Sequence, residues 1–134
     1  MNLSATIGVA RTAMTNSQRI LIVEDEALVG MALEDALEFL GIGVAGVAGT
    51  VDEALAHVEQ DQFDGAILDV QLHGKSVLPV ADSLEQRGIP FVFATGYGKA
   101  GLPEKYRDAP VLQKPFMPAE LKDVLAKAGI CKSS

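Results

Sequence analysis

The chain of 134 residues has no tryptophan and a single cysteine, Cys131. One thiol forms no internal disulfide, which argues against a stapled secreted scaffold and for a reducing compartment such as the cytoplasm. Positive charge is in deficit: eleven Lys and Arg stand against eighteen Asp and Glu, for a net charge of −7. A surface of that sign repels phosphate backbones and anionic lipid, so neither nucleic acid nor a membrane surface is expected as partner. Apolar runs of the roughly 18–20 residues needed to span a bilayer are missing. Met1 to Ala10 has no Lys or Arg and no dense apolar block, and so does not resemble a signal peptide. Zinc is disfavoured, because no second His or Cys stands at ligand spacing from another. GxxxxGK[ST] does not occur, and Gly96-Tyr97-Gly98 is not expected to be a phosphate-binding loop. What the chain does have is 49% hydrophobic and 22% charged residues, a globular composition at the size of one domain.

Residues 1–18 show no sustained periodicity and are expected to form a flexible N-terminal extension, with residues 129–134 as a C-terminal tail. Between them, over 19–128, two kinds of segment alternate. Ile20–Val23, Val44–Ala48, Ala66–Leu68, Ile89–Ala94 and Val111–Gln113 are short and apolar, as strands covered on both faces must be. Ala27–Leu40, Val51–Gln60, the stretch from Val77 toward Gly88, and the stretch from Pro118 through Ala128 repeat apolar residues at helical spacing. Gly41 and Gly88 are natural helix stops, and Thr50 to Glu53 has the form of a capping box. Gly96 to Pro110 is punctuated by Gly and Pro, which predicts an irregular or mobile segment with at most a short helix. The alternation predicts an α/β fold, a flavodoxin-like (βα)5 parallel sheet in the order 2-1-3-4-5 with helices on both faces.

In such a sheet all strand C-termini share one edge. The first strand runs into Glu24-Asp25-Glu26, the third into Asp69, the fourth into Thr95 and the fifth into Lys114-Pro115. Two carboxylates at ~5 Å and an effective dielectric of ~20 repel by about 3 kcal/mol, so a cluster of Glu24, Asp25 and Asp69 is a defect unless a cation compensates it. Lys114 and a hard divalent cation are the candidates. Magnesium suits a site of few protein oxygens because it keeps waters and takes a phosphate oxygen readily. Carboxylate, cation, lysine and hydroxyl around one point are the components of phosphoryl transfer. Each residue alone has a plainer explanation: helix capping for Glu24 to Glu26, a turn for Asp69 or Thr95, a surface lysine for Lys114. It is their convergence on one edge that favours chemistry. His57 is expected on the surface, His73 in a solvated loop, and Cys131 is incidental.

The motifs IVEDE, ILDVQL, FATGYG and KPF, in this order and spacing, resemble the receiver domains of bacterial two-component response regulators over Arg19 to about Ala128. The resemblance implies that Asp69 takes a phosphoryl group from a phosphohistidine, as an acyl phosphate. It implies that magnesium, or manganese in its place, is held by Asp25 directly, by Glu24 mainly through water, by Asp69, and by the backbone carbonyl of Gln71. Lys114 would pair with Asp69 or its phosphoryl group, before a Lys114-Pro115 bond of the kind usually found cis, and Thr95 would move toward the phosphoryl group. Gly96, Tyr97 and Pro115 flank the site as candidates for tuning it. The implied partners are a histidine kinase or histidine phosphotransferase and an unknown downstream protein, with the chain a monomer or weak dimer. The contact face by analogy is the one built from the fourth helix, fifth strand and fifth helix.

FATGYG resembles a subgroup named for that motif, often linked to kinases of the HWE or related type. Val111 stands where many receivers have the Tyr or Phe that swings with the Thr, and Gly74-Lys75-Ser76 follow Asp69 where a Pro is usual. Segment 96–110 is therefore expected to be the switch itself. The expectation is a stand-alone receiver, not an enzyme, since no output domain fits in the remaining residues. Two rivals are a never-phosphorylated pseudo-receiver, which typically lacks an acidic residue, the Thr or the Lys, and a magnesium-dependent phosphohydrolase of the haloacid-dehalogenase type. The latter needs a second Asp two residues after the first, and here Asp69-Val70-Gln71 lacks it.

Overall fold

Ile20, Leu21, Ile22 and Val23 are all fully buried, which a strand achieves only at the centre of a sheet covered on both sides. They belong to β1 (Arg19–Val23) in a computed structural model that describes residues 18–60 and 62–131. Alternate side chains go to opposite faces: Leu21 and Val23 join one apolar cluster, Ile20 and Ile22 the other. Around β1 lie β2 (Gly43–Ala48), β3 (Gly65–Asp69), β6 (Phe91–Thr95) and β7 (Val111–Gln113), all parallel, in the order β2-β1-β3-β6-β7. This is the 2-1-3-4-5 order expected from the alternation of segments. A short antiparallel hairpin, β4 (Gln71–Leu72) with β5 (Lys75–Ser76), follows β3 and was not foreseen.

Helices α1 (Ala27–Phe39) and α4 (Pro118–Lys127) cover one face with Leu33, Leu37, Leu121 and Leu125. Helices α2 (Val51–Gln60) and α3 (Leu78–Gln86) cover the other with Ala54, Val58, Val80, Ala81 and Leu84. Gly41, just past α1, has φ +78, the left-handed conformation that ends a helix without a Cβ clash. At the start of α2 the Glu53 N–H donates to Thr50 Oγ1 at 3.1 Å, while Glu53 Oε1 accepts from the Gly49 N–H at 2.8 Å, one residue before the partner of a standard capping box.

Segment 96–110 is irregular as expected, with two 3-10 turns, Gly98–Gly101 and Glu104–Tyr106. The contact face expected from a fourth helix, fifth strand and fifth helix therefore loses its first member to these turns. The segment is nonetheless anchored. Leu102 and Tyr106 are buried, the Tyr106 ring meets Phe91 and Phe93 at 5.6 and 5.7 Å, and its hydroxyl donates to Asp82 on α3 at 2.7 Å. That bond, after burial, holds the Tyr106 hydroxyl far above its ordinary pKa.

Two other contacts differ from expectation. His57, expected on the surface, is half-buried because glycine at position 46 leaves room for its ring: a Cβ there would lie 2.8 Å from the imidazole Cε1. Ile130, in the expected tail, is buried over Gly65, where a Cβ would lie 2.8 Å from Ile130 Cγ1, so packing continues past Ala128. The expected extension up to Ser17 and residues 132–134 of the tail lie outside the described residues. Among the described residues no helix is long and apolar enough to cross a membrane.

Candidate functional site

Strand order β2-β1-β3 reverses the chain's progress between β1 and β3, and a crevice opens where their C-terminal ends diverge. Into it project Glu24 and Asp25 after β1, Asp69 at the end of β3, Thr95 at the end of β6 and Lys114 after β7. Glu24 extends the ladder by donating its N–H to the Ala48 carbonyl at 2.9 Å, which turns its side chain inward; only 1% of that side chain is exposed. Oxygens of Glu24, Asp25 and Asp69 lie within 4.8 Å of one another, so the cluster read from the sequence is real.

Lys114 answers part of this charge. Its Nζ lies 2.8 Å from Glu24 Oε1 and 3.6 Å from Asp69 Oδ1. The pairing with Asp69 that the resemblance implied is present, but the closer partner is Glu24, and sequence alone has no signal for which carboxylate is deeper. Burial pulls the Lys114 ammonium down, but the hydrogen bond to Glu24 and the charges of Asp69 and Glu24 outweigh it and hold its pKa above the ordinary value. Burial first, and the Glu24 charge next, push the Asp69 carboxyl up to about 7 against the pull of Lys114. Asp25 goes the other way: the His73 backbone N–H donates to its Oδ2 at 2.8 Å and keeps its carboxyl below the ordinary range. One lysine is therefore insufficient for three carboxylates, and a further cation is what the site lacks electrostatically. An all-oxygen donor set fits magnesium or another hard cation and not zinc.

Thr95 is buried, and its Oγ1 accepts from the Tyr97 N–H at 3.0 Å. A Cβ on Gly101 would lie 3.1 Å from that oxygen, so the irregular segment packs directly over the hydroxyl. The Lys114 N–H donates to the Thr95 carbonyl at 2.9 Å, tying the ends of β6 and β7 together, and the Lys114-Pro115 bond is cis. Asp69, Gln71, Thr95, Gly96, Tyr97 and Lys114 line one cleft of about 570 Å³. The Gly96 carbonyl accepts from Gln113 Nε2 at 3.1 Å, and Tyr97 is 83% exposed at the rim. Pro115 lies apart, in an apolar groove between α1 and the start of α4.

His73 was expected to be a solvated loop residue. Its imidazole is indeed exposed, but its backbone belongs to the site through Asp25. The only sequence signal was His73-Gly74 between Gln71-Leu72 and Lys75-Ser76, too short a pattern to read as a hairpin.

Residues 20–126 match the family model described as response regulator receiver domain. The phyllosphere-induced regulator PhyR of Methylorubrum extorquens is 41% identical over 113 residues, which cover 81% of this chain and 42% of PhyR. The chain thus spans less than half the length of that curated relative. Among solved structures, the solution structure of SdrG from Sphingomonas melonis Fr1 is 49% identical with a TM-score of 0.77, over 84% of this chain and 97% of that one. The BeF3-activated conformation of SdrG, with the same identity and coverage, has a TM-score of 0.73.

Proposed function

The chain belongs to the response regulator receiver family, and from that premise we propose that it is a phosphoacceptor switch working through Asp69. The observation that carries this reading is the meeting of Glu24, Asp25 and Asp69 with Lys114 at one sheet edge, an arrangement that repels itself without a further cation. A carboxylate oxygen of Asp69 attacks the phosphorus of a phosphohistidine. The bond from phosphorus to the ring nitrogen breaks, the donor, already protonated on its other ring nitrogen, leaves as neutral imidazole, and an acyl phosphate remains on Asp69. Asp25, Asp69, the Gln71 carbonyl and, through water, Glu24 would hold magnesium, or manganese in its place. The ion when bound supplies positive charge to the phosphoryl oxygens.

The remaining steps fall to this chain's own groups. Lys114 sits where it can shift from Asp69 to a phosphoryl oxygen without leaving Glu24. Thr95 turns its hydroxyl from the Tyr97 N–H to the phosphoryl group, which releases the start of segment 96–110 lying over it. Because Val111 offers no swinging aromatic, that segment is the moving part, and Tyr106, bonded to Asp82 of α3, is its fixed end. The phosphoryl donor is a histidine kinase of the HWE or related type or a histidine phosphotransferase, as FATGYG suggests, and the product is a changed surface rather than a turned-over substrate.

Beryllofluoride with magnesium provides the test. Hydrogen exchange should change in residues 96–110 while the amides of β1 and β3 stay as they were. Unchanged exchange throughout, together with no label on Asp69 from a phosphohistidine donor, would leave a binding module that is never phosphorylated.

A further inference from the structure

Between Asp69 and α3 the chain makes a structure with no counterpart in the sequence reading: the hairpin of β4 and β5, paired Gln71 to Ser76 and Leu72 to Lys75. His73 and Gly74 form its turn with φ of +51 and +79, the two left-handed residues of a type I′ turn. Leu72, buried to 1%, pins the hairpin to the core.

The pairing has a consequence for Gln71. Hydrogen-bonded and non-bonded pairs alternate along an antiparallel ladder. The pair next to a two-residue turn, Leu72 with Lys75, is a bonded one, and two residues further on the Val77 N–H donates to the Val70 carbonyl at 3.0 Å, as the alternation requires. The intervening Gln71–Ser76 pair is therefore non-bonded, and the Gln71 carbonyl turns out of the ladder, free to face a cation. The turn acts at the same time on a second candidate ligand. His73 presents its backbone N–H to Asp25 Oδ2 at 2.8 Å, while its imidazole is 63% exposed with Nδ1 3.6 Å from the same oxygen. The left-handed backbone at His73 and Gly74 sets the direction of that N–H, and the ring is incidental to it.

We propose that the Gln71–Ser76 hairpin is the positioning element of the cation site: its register frees the Gln71 carbonyl and its turn amide fixes Asp25. Magnesium tolerates little departure from octahedral geometry, and groups that orient metal ligands typically govern affinity by 10–100-fold. The hairpin joins β3 through the single residue Val70, so it refers two ligands to the strand that ends in Asp69. This inference rests on the proposed function, since it presumes that the carboxylates hold a cation.

The test is magnesium chloride titrated calorimetrically into the full chain without any phosphoryl donor. Gly74→Val puts a β-branched residue at φ +79 and should weaken magnesium about tenfold. Its melting temperature in EDTA should stay within a few degrees of wild type, because the turn is exposed. The amide proton of His73 should move upfield as the Asp25 bond is lost. His73→Asn, which keeps the amide and tolerates the left-handed region, should retain the affinity. Should Gly74→Val melt early, Gly74→Ala carries less strain and should show the same loss in smaller degree. Equal magnesium affinity in wild type and the position-74 variants overturns the inference and leaves the proposed function standing. Loss of affinity in His73→Asn overturns it in favour of the imidazole. A wild-type chain that takes up no magnesium overturns the proposed function and this inference with it.

Discussion

Asp69→Asn is expected to abolish phosphorylation and yet, in EDTA, to melt roughly 5 °C higher than wild type at about pH 8. The gain comes from removing a charge that the folded chain holds at a cost. Burial, then the charge of Glu24, push the Asp69 carboxyl from 3.8 up to about 7. Between those two values the folded chain retains a proton that the unfolded chain has released. Wild-type stability is therefore full below the unfolded value and falls as pH rises through the folded one. The displacement corresponds to at most about 4 kcal/mol, and solvent reaching the half-buried carboxyl cuts this to about 1–2 kcal/mol. The variant's advantage should fade at about pH 4, where both side chains are neutral. Magnesium should reverse the order, since wild type then binds the ion with its full set of carboxylates. Coincident melting curves across the pH range in EDTA would contradict the clustered-charge account.

The opposite effect is expected from Lys114→Ala. Glu24 has 1% of its side chain exposed and its ionic partner is Lys114 at 2.8 Å. Removing one partner of a buried pair leaves an uncompensated charge, which costs 3–5 kcal/mol when both are fully buried; with Lys114 19% exposed the loss is about 2–3 kcal/mol. Lys114 titrates above its ordinary 10.5, so the pair's contribution is full below the unfolded value and is lost only in strong alkali. The defect should hence be constant through neutral pH, unlike that of Asp69. Adding Glu24→Gln to the same chain should restore most of the loss, and denaturant titration of the two single variants and the double one measures the coupling. In function, Lys114→Ala should disconnect beryllofluoride from the exchange response of segment 96–110. A single variant as stable as wild type would show that water, not the lysine, satisfies Glu24.

The sheet was legible because buried parallel strands must be nearly continuous in apolar residues, and Ile20–Val23 and Phe91–Ala94 satisfy that rule with little ambiguity. Once the order was set, the convergence of Asp25, Asp69, Thr95 and Lys114 followed from topology alone. The illegible features were those decided by side-chain depth or by very short elements. Glu24 and Asp25 are neighbours with the same chemistry, yet one is inward and tied to Lys114 while the other faces the His73 amide. That assignment depends on which of them continues the β1 ladder. The β4–β5 hairpin has two-residue strands, below the length at which alternation is a pattern. Tyr106 lacks a periodic neighbourhood, so its anchoring of a Gly-rich segment to Asp82 emerged only from the packing.

The seat of Ile130 over Gly65 bears on how this protein is handled at the bench. Gly65 opens the strand whose other end is Asp69. A recombinant boundary drawn at Ala128, where helical spacing stops, would strip the plug from the base of the strand that ends in Asp69. Expression plasmids, fusions and segmental labelling should place their junctions beyond Ile130, or the engineered protein will report on a loosened strand instead of on the intact sheet.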